Sequence, residues 1–213
     1  MTAREWMGSR GNSDSSVDTD ERLLRWLDAV VSTPGLTSIR DPAEARRVHL
    51  EDSLTALPLL ESLPGPIIDV GSGGGAPGIP LAGALPEREV TLLEANRRKA
   101  EFLERMAADF PNVRVVWGRA EEQERERFGV ALAKALAPPP VAAEWCLPLV
   151  EVGGAAILWV GPSASRDAAA SAAAKLGAAS SEPQAGLLVL RKIAPTPAGF
   201  PRRAGVARKR PLA

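Results

Sequence analysis

The stretch Ile67-Ile-Asp69-Val70-Gly71-Ser-Gly73-Gly-Gly75-Ala-Pro-Gly78 sets an apolar run directly against a glycine-rich turn, and Ile79-Pro-Leu-Ala82 then supplies residues suited to a first helical turn. A short, continuously apolar run suits a strand buried on both faces, and glycines let its exit turn approach a ligand closely. In an open parallel sheet, such a strand end opposite a helix start makes a nucleotide-like pocket near the topological switch point. Twenty-three residues after Gly71, Glu94 closes the next apolar run, Val90 to Leu93, where a carboxylate can accept hydrogen bonds from both ribose hydroxyls. The pair is far more specific than either part. It does not by itself name the nucleotide, because Gly71-x-Gly73-x-x-Ala76 also satisfies a relaxed dinucleotide fingerprint.

Working outward, apolar runs recur at Val113 to Trp117, Val130 to Ala133, Ala155 to Val160 and Leu187 to Leu190. Segments of helical composition (Arg97 to Asp109, Pro140 to Val150, Ala164 to Leu176) separate most of them, an alternation that predicts a parallel sheet covered on both faces. Before the first strand, Asp18 followed by Glu21 reads as a capping box for a helix carrying Leu23, Leu24, Leu27, Val30 and Val31. A second helical stretch is expected from about Pro42 to Leu60, with Val48, Leu54, Leu57 and Leu60 inward. The expected organisation is a disordered leader over 1–17, a helical cap over 18–62, a nucleotide-binding domain over 63–194 and a basic tail over 195–213.

With 213 residues, 45% of them hydrophobic, the chain can build one substantial α/β core. A single cysteine, Cys146, in an apolar helical context reads as a core thiol, and with one histidine, His49, too few soft ligands remain for a zinc site; no metal is expected. There is no signal-peptide pattern and no long apolar run, so the expected location is the cytoplasm, with no membrane contact. Formal net charge is zero, but Leu187 to Ala213 holds seven basic residues and no acidic one. That asymmetry points the tail toward an anionic partner.

Asp69-x-Gly71-x-Gly73-x-Gly75 resembles the first motif of class I methyltransferases, and Gly118-Arg-Ala-Glu121 after the third strand resembles the segment that passes the adenine ring in those enzymes. The likeness narrows further. Leu36-Thr-Ser-Ile-Arg-Asp-Pro42, His49-Leu-Glu-Asp-Ser53, the run from Asp69 to Ala82, Leu92-Leu-Glu94 with Arg98, Lys99, Phe102 and Leu103, and Phe200-Pro-Arg-Arg-Ala-Gly205 through Lys209-Arg-Pro-Leu212 closely resemble the glucose-inhibited division protein B family, over roughly residues 23 to 212. The resemblance implies a doubly wound, mostly parallel seven-stranded sheet of the class I methyltransferase type with an N-terminal helical cap. It implies S-adenosylmethionine as cofactor and methyl transfer to N7 of a guanine in small-subunit (16S) ribosomal RNA.

Carried onto this sequence, the cofactor contacts expected are Asp69, Gly71, Ser72, Gly73, Gly75, Gly78, Glu94, Ala95, Arg119, Ala120, Glu121 and Lys134. The RNA contacts expected are Lys134, Arg202, Arg203, Arg208, Lys209 and Arg210, on a monomer that meets the RNA or the small subunit. Guanine N7 carries a free in-plane lone pair, so alignment suffices and no general base is expected. The absence of any Tyr argues against an Asn-Pro-Pro-Tyr amino-group methylase, and Cys146 lacks the Pro-Cys setting of carbon-5 methylation. His49 is expected to be packed or hydrogen-bonded, and Asp52 and Ser53 to brace the cap or to meet substrate.

Four positions depart from the family pattern: Ala76 stands for Phe or Leu, Gly129 for Asp, Lys134 for Arg, and Val160 before Gly161 for Lys. The last three are expected at strand ends facing the active site, where Lys134 lacks the planar fork of arginine and Val160 removes a cation. A cofactor-binding but catalytically weak RNA-binding homologue, and more remotely an NAD(P)-dependent oxidoreductase, are therefore alternatives. If Arg202 to Arg210 contact RNA, deleting 201–213 is expected to weaken RNA binding and flatten its salt dependence while leaving cofactor affinity unchanged.

Overall fold

A computed structural model describes residues 20–180 and 186–212. The expected leader, 1–17, and Asp18 of the expected capping box lie outside the described residues. Seven strands form one sheet: β1 (Ile67–Val70), β2 (Val90–Glu94), β3 (Val113–Trp117), β4 (Phe128–Lys134), β5 (Val150–Trp159), β6 (Ala178–Ser180) and β7 (Leu187–Lys192). Their order is β3-β2-β1-β4-β5-β7-β6. β1 to β5 run parallel, whereas β7 is antiparallel to both neighbours, β5 and β6. β1 is buried at every residue and lies between β2 and β4, so the chain reverses its direction of winding at the end of that strand.

Successive strand residues point to opposite faces and thereby divide the core in two. Ile67, Leu92, Leu132 and Ile157 face the cap and two helices, α5 (Gly78–Ala84) and α6 (Arg97–Ala107). Ile68, Leu93, Ala131 and Leu158 face α7 (Pro139–Cys146) and α8 (Arg166–Lys175), where Ala143, Ala169 and Ala173 keep the helices close.

The cap begins with α1 (Glu21–Ser32), which buries Leu23, Trp26, Leu27 and Val30 at helical spacing. Its N-cap is Asp20, whose carboxylate accepts from Arg22 N at 2.9 Å. Asp41 caps the next segment through Glu44 N (2.8 Å). The expected single helix over 42–60 is interrupted: α2 (Pro42–Ala45), a π-helical turn (Arg46–Glu51), α3 (Asp52–Leu54) and α4 (Leu57–Leu60). The π turn rotates the inward face, so Leu50 and Ser53 are buried while Val48, Leu54 and Leu57 are only half-buried. Two polar side chains knit the β1 entry. Arg88 donates to the carbonyls of Leu60, Leu63 and Gly65, and Asn112 Nδ2 donates to those of Ala82, Leu85 and Arg88. The tail ends in a short helix, α9 (Val206–Lys209).

The structure corrects several boundaries. β5 begins at Val150, where a helix was expected to end, because Leu147–Leu149 already tighten into a 3-10 turn. β6, Ala-Ala-Ser, has no apolar signature and is visible only through its pairing with β7. Gly129 does not face the active site. It lies near the start of β4, at the opposite end of the sheet, and a Cβ there would sit 1.8 Å from the Pro64 carbonyl oxygen. Among the described residues no helix is long and apolar enough to cross a membrane.

Restoring the family's aspartate by Gly129→Asp should therefore destabilise the chain by about 3 kcal/mol or more. Urea unfolding measures this; an unchanged midpoint would show that the Pro64 turn yields freely.

Candidate active site

β1 delivers the chain into left-handed backbone at Gly71, Gly73 and Gly75, with φ of 73°, 57° and 105°. The turn folds back on β2: Gly71 N and Ser72 N both donate to the Leu93 carbonyl, at 2.7 and 3.1 Å. Glu94, at the end of β2, is nearly buried, and its two carboxylate oxygens accept from Gly73 N (2.9 Å) and Asn96 N (2.7 Å). From the cap, Trp26 Nε1 donates to the Gly74 carbonyl at 2.8 Å. The loop is thus held from the neighbouring strand and from the cap.

It opens onto a cavity of about 610 Å³. Of the residues expected at the cofactor, Gly71, Ser72, Gly73, Glu94, Ala95, Arg119, Ala120, Glu121 and Lys134 line this cavity. Asp69, Gly75 and Gly78 do not; they lie behind it. A Cβ on Gly75 would meet Ile79 at 2.6 Å, and one on Gly78 would meet Leu92 at 2.3 Å, so these glycines serve packing. Asp69 is 1% exposed; its Oδ2 accepts from Gly78 N (3.1 Å), its backbone carbonyl accepts from Ser72 Oγ (2.8 Å), and its Oδ1 has no partner. Burial pushes its carboxyl up from 3.8 to about 7, and the charge of Glu94 adds to that.

The opposite wall comes from the cap and β4. Lys134 Nζ, little exposed, pairs with Asp52 Oδ2 at 3.0 Å and donates to the Val48 carbonyl at 2.9 Å, while Trp159 Nε1 donates to the Asp52 carbonyl at 3.0 Å. Ala135 next to Lys134 is held at a φ of 52°, an uncommon conformation for a residue with a Cβ. Leu136 then packs where a side chain on Gly71 would be, 2.3 Å from that Cβ position. His49 lines the cavity as a hydrogen-bonded residue, Nε2 lying 3.0 Å from Thr37 Oγ1; burial first, and Lys134 second, lower its pKa. Ser53 is buried and donates to the His49 carbonyl, and Asp52 braces cap against sheet.

The tail occupies the third side. Gly205 and Arg208 line the cavity, Gly205 N donating to Glu121 Oε1 at 3.3 Å. Arg202 pairs with the buried Glu144, so among the residues expected at RNA it is committed to the fold. Arg208 stacks over the Trp145 ring at 5.2 Å; Arg203, Lys209 and Arg210 are exposed. The tail thus also borders the cavity. Trp26 and Trp145 were missed as pocket residues because each reads in sequence as one more apolar position of a helix. Val160 lies outside this cavity, on a recess of about 140 Å³ with Ala135, Leu136 and Pro139.

Residues 20–184 match the GidB family, described as rRNA small subunit methyltransferase G. The chain belongs to this family. A ribosomal RNA small subunit methyltransferase G from Synechococcus elongatus is 41% identical over 235 residues, covering 100% of this chain and 97% of the relative. One from Symbiobacterium thermophilum is 39% identical, covering 90% and 89%. The fold is shared with a T. thermophilus 16S rRNA N2 G1207 methyltransferase solved with AdoMet and guanosine, at a TM-score of 0.55 and 18% identity, over 78% of this chain and 42% of that one. Family membership sets aside the oxidoreductase alternative that the glycine motif alone left open.

The raised carboxyl of Asp69 gives this chain a pH signature. Because its folded pKa lies above its ordinary one, its contribution to stability is fully present below about pH 4 and is lost as pH rises through 7. Asp69→Asn should remove that slope, the wild type losing on the order of a few kcal/mol more than the variant between pH 4 and 7. Parallel stability curves for the two proteins over this range would assign the slope elsewhere.

Proposed function

We propose that the chain transfers the methyl group of S-adenosylmethionine to N7 of a guanine in small-subunit ribosomal RNA, acting in the cytoplasm as a monomer. The observation that carries this reading is the meeting, in one cavity, of the Gly71–Gly73 backbone, the Glu94 carboxylate and the Ala120–Glu121 turn in a chain of this family. The cavity's volume lies within the usual range for small-molecule sites, about 300–1,000 Å³. Its chemistry fits the cofactor: small residues at the strand turn, a buried carboxylate suited to ribose hydroxyls, and an apolar slot at Ala120 and Trp145 suited to a flat base. One chain supplies every wall, which supports action as a monomer.

When bound, the cofactor offers an electrophilic methyl on a sulfonium centre. Guanine N7 can attack it with its own lone pair, and no proton has to leave first. What the protein contributes is alignment and exclusion of water. Gly71 and Gly73 let the backbone approach, Glu94 fixes the ribose, and the cap, tied to β4 by Asp52 and Lys134, closes the substrate side. Lys134 already has two partners, so its part is to position the cap. The exposed cations at Arg203, Lys209 and Arg210, with Trp117 beside Arg97 at the β3 end, supply phosphate contacts and a stacking ring. Val160 lies outside the pocket, which supports an active enzyme over a cofactor-binding relict.

Incubation with labelled S-adenosylmethionine and unmethylated small subunits tests the reaction: label is expected in 7-methylguanosine after nuclease digestion. Label in another nucleoside, or none, would overturn the proposal. For RNA contact, replacing Arg203, Lys209 and Arg210 together by alanine should reduce the slope of log affinity against log salt by about two, at roughly 0.7 per phosphate contact on single strands. A slope equal to wild type would move the RNA off this rim.

A further inference from the structure

The tail is both the most basic part of the chain and part of the cofactor cavity, and the bonds that hold it show how the two are connected. Glu121 Oε1 accepts from Trp145 Nε1 at 3.1 Å and from Gly205 N at 3.3 Å, so one carboxylate oxygen fixes the indole that floors the slot and the backbone that closes it. Arg208 lies over the same indole and opens onto the same cavity. The segment is anchored on either side: Arg202 Nε donates to Glu144 Oε1 at 2.6 Å, its Nη2 donates to Glu144 Oε2 and to the Arg210 carbonyl (2.8 Å), and Ala207 of α9, a helix in contact with α7, is buried. Glu144 itself is 1% exposed, and Arg202 is its partner. A buried carboxylate with its guanidinium in place favours one arrangement of the segment and penalises its departure.

We propose that residues Arg202 to Arg210 form the closing wall of the cofactor pocket, with Gly205 and Arg208 positioning the adenosyl end, so that a filled pocket holds the RNA-facing cations in place. The inference rests on the cofactor assignment above. A ligand that touches the segment only in its docked arrangement favours that arrangement by the factor 1 + [L]/Kd. By linkage, RNA bound to the docked cations tightens the cofactor by the same factor that the cofactor tightens RNA. The enzyme thereby presents an ordered basic rim to RNA chiefly when it holds a methyl donor.

Limited trypsin digestion of the intact protein, with peptides read by mass spectrometry, tests this, since Arg203, Arg208 and Lys209 are cleavage points within the wall. With S-adenosylmethionine at ten times the Kd measured by calorimetry on the same sample, cleavage at these points should slow about tenfold. Cleavage after the exposed Arg166, at the start of α8, should be unaffected. Equal cleavage within the wall with and without cofactor, while calorimetry registers binding, would overturn the proposal. No calorimetric binding would instead overturn the cofactor assignment and this inference with it. A second measurement avoids any disturbance of the buried pair: Arg208→Ala, an exposed position, should raise the S-adenosylmethionine Kd several-fold, and an unchanged Kd counts against the wall.

Discussion

The Glu94 carboxylate is the tie on which the pocket depends. Its two oxygens hold Gly73 N in the turn after β1 and Asn96 N at the start of α6, so one side chain sets the spacing between adjacent strand ends and the helix that follows. The Glu94 side chain is nearly buried while the two bonds are part-buried, so the loss of either would leave a polar group poorly compensated. The turn can reach this carboxylate only because Gly71 and Gly73 adopt left-handed backbone and because Leu136 fills the space a side chain on Gly71 would need. Sequence, backbone and site are joined at that point.

Around it, the walls come from parts of the chain far apart in sequence. Trp26 reaches Gly74 from the cap, Lys134 reaches Asp52 and Val48 from β4, and Gly205 reaches Glu121 from the tail. None of these contacts is local, so the pocket is complete only when cap, sheet and tail have all docked. This also explains the strained Ala135. Its left-handed turn lets Lys134 point to the cap while Leu136 turns under Gly71, and a costly backbone conformation persists where its surroundings fix it from both sides.

How much of this could be read from the sequence follows from how local each signal is. The glycine loop, Glu94 and the apolar strands are written in short runs whose residue types have few alternatives, and they stand where they were expected. The π turn over Arg46–Glu51 was invisible because one inserted residue in a helical pattern looks like imperfect periodicity. β6 was invisible because Ala178-Ala-Ser180 owes its strand conformation to β7 and not to its own side chains. Asp69, Gly75 and Gly78 were placed at the cofactor by their motif; the structure puts them one layer behind, since a motif preserves a fold's requirements together with its contacts. The tail misled for the opposite reason. Its cations suggested RNA contact alone, whereas Arg202 turns inward to the buried Glu144, 58 residues away in sequence, and Gly205 is held by Glu121.

The net charge of zero does not describe the neighbourhood of the pocket, where charges of opposite sign lie at different depths. Most of the acids lie on the surface, but Asp69, Glu94 and Glu144 are buried at or behind the pocket, and Glu121 lines it. Inward carboxylates suit a cofactor whose reactive centre is a cation, whereas the exposed Arg203, Lys209 and Arg210 suit a polyanion outside. Were these charges mixed on one face, each ligand would meet the wrong sign as often as the right one. Separation by depth avoids this, and Arg202 marks the boundary, a tail cation turned inward to meet a buried acid while its neighbours face out.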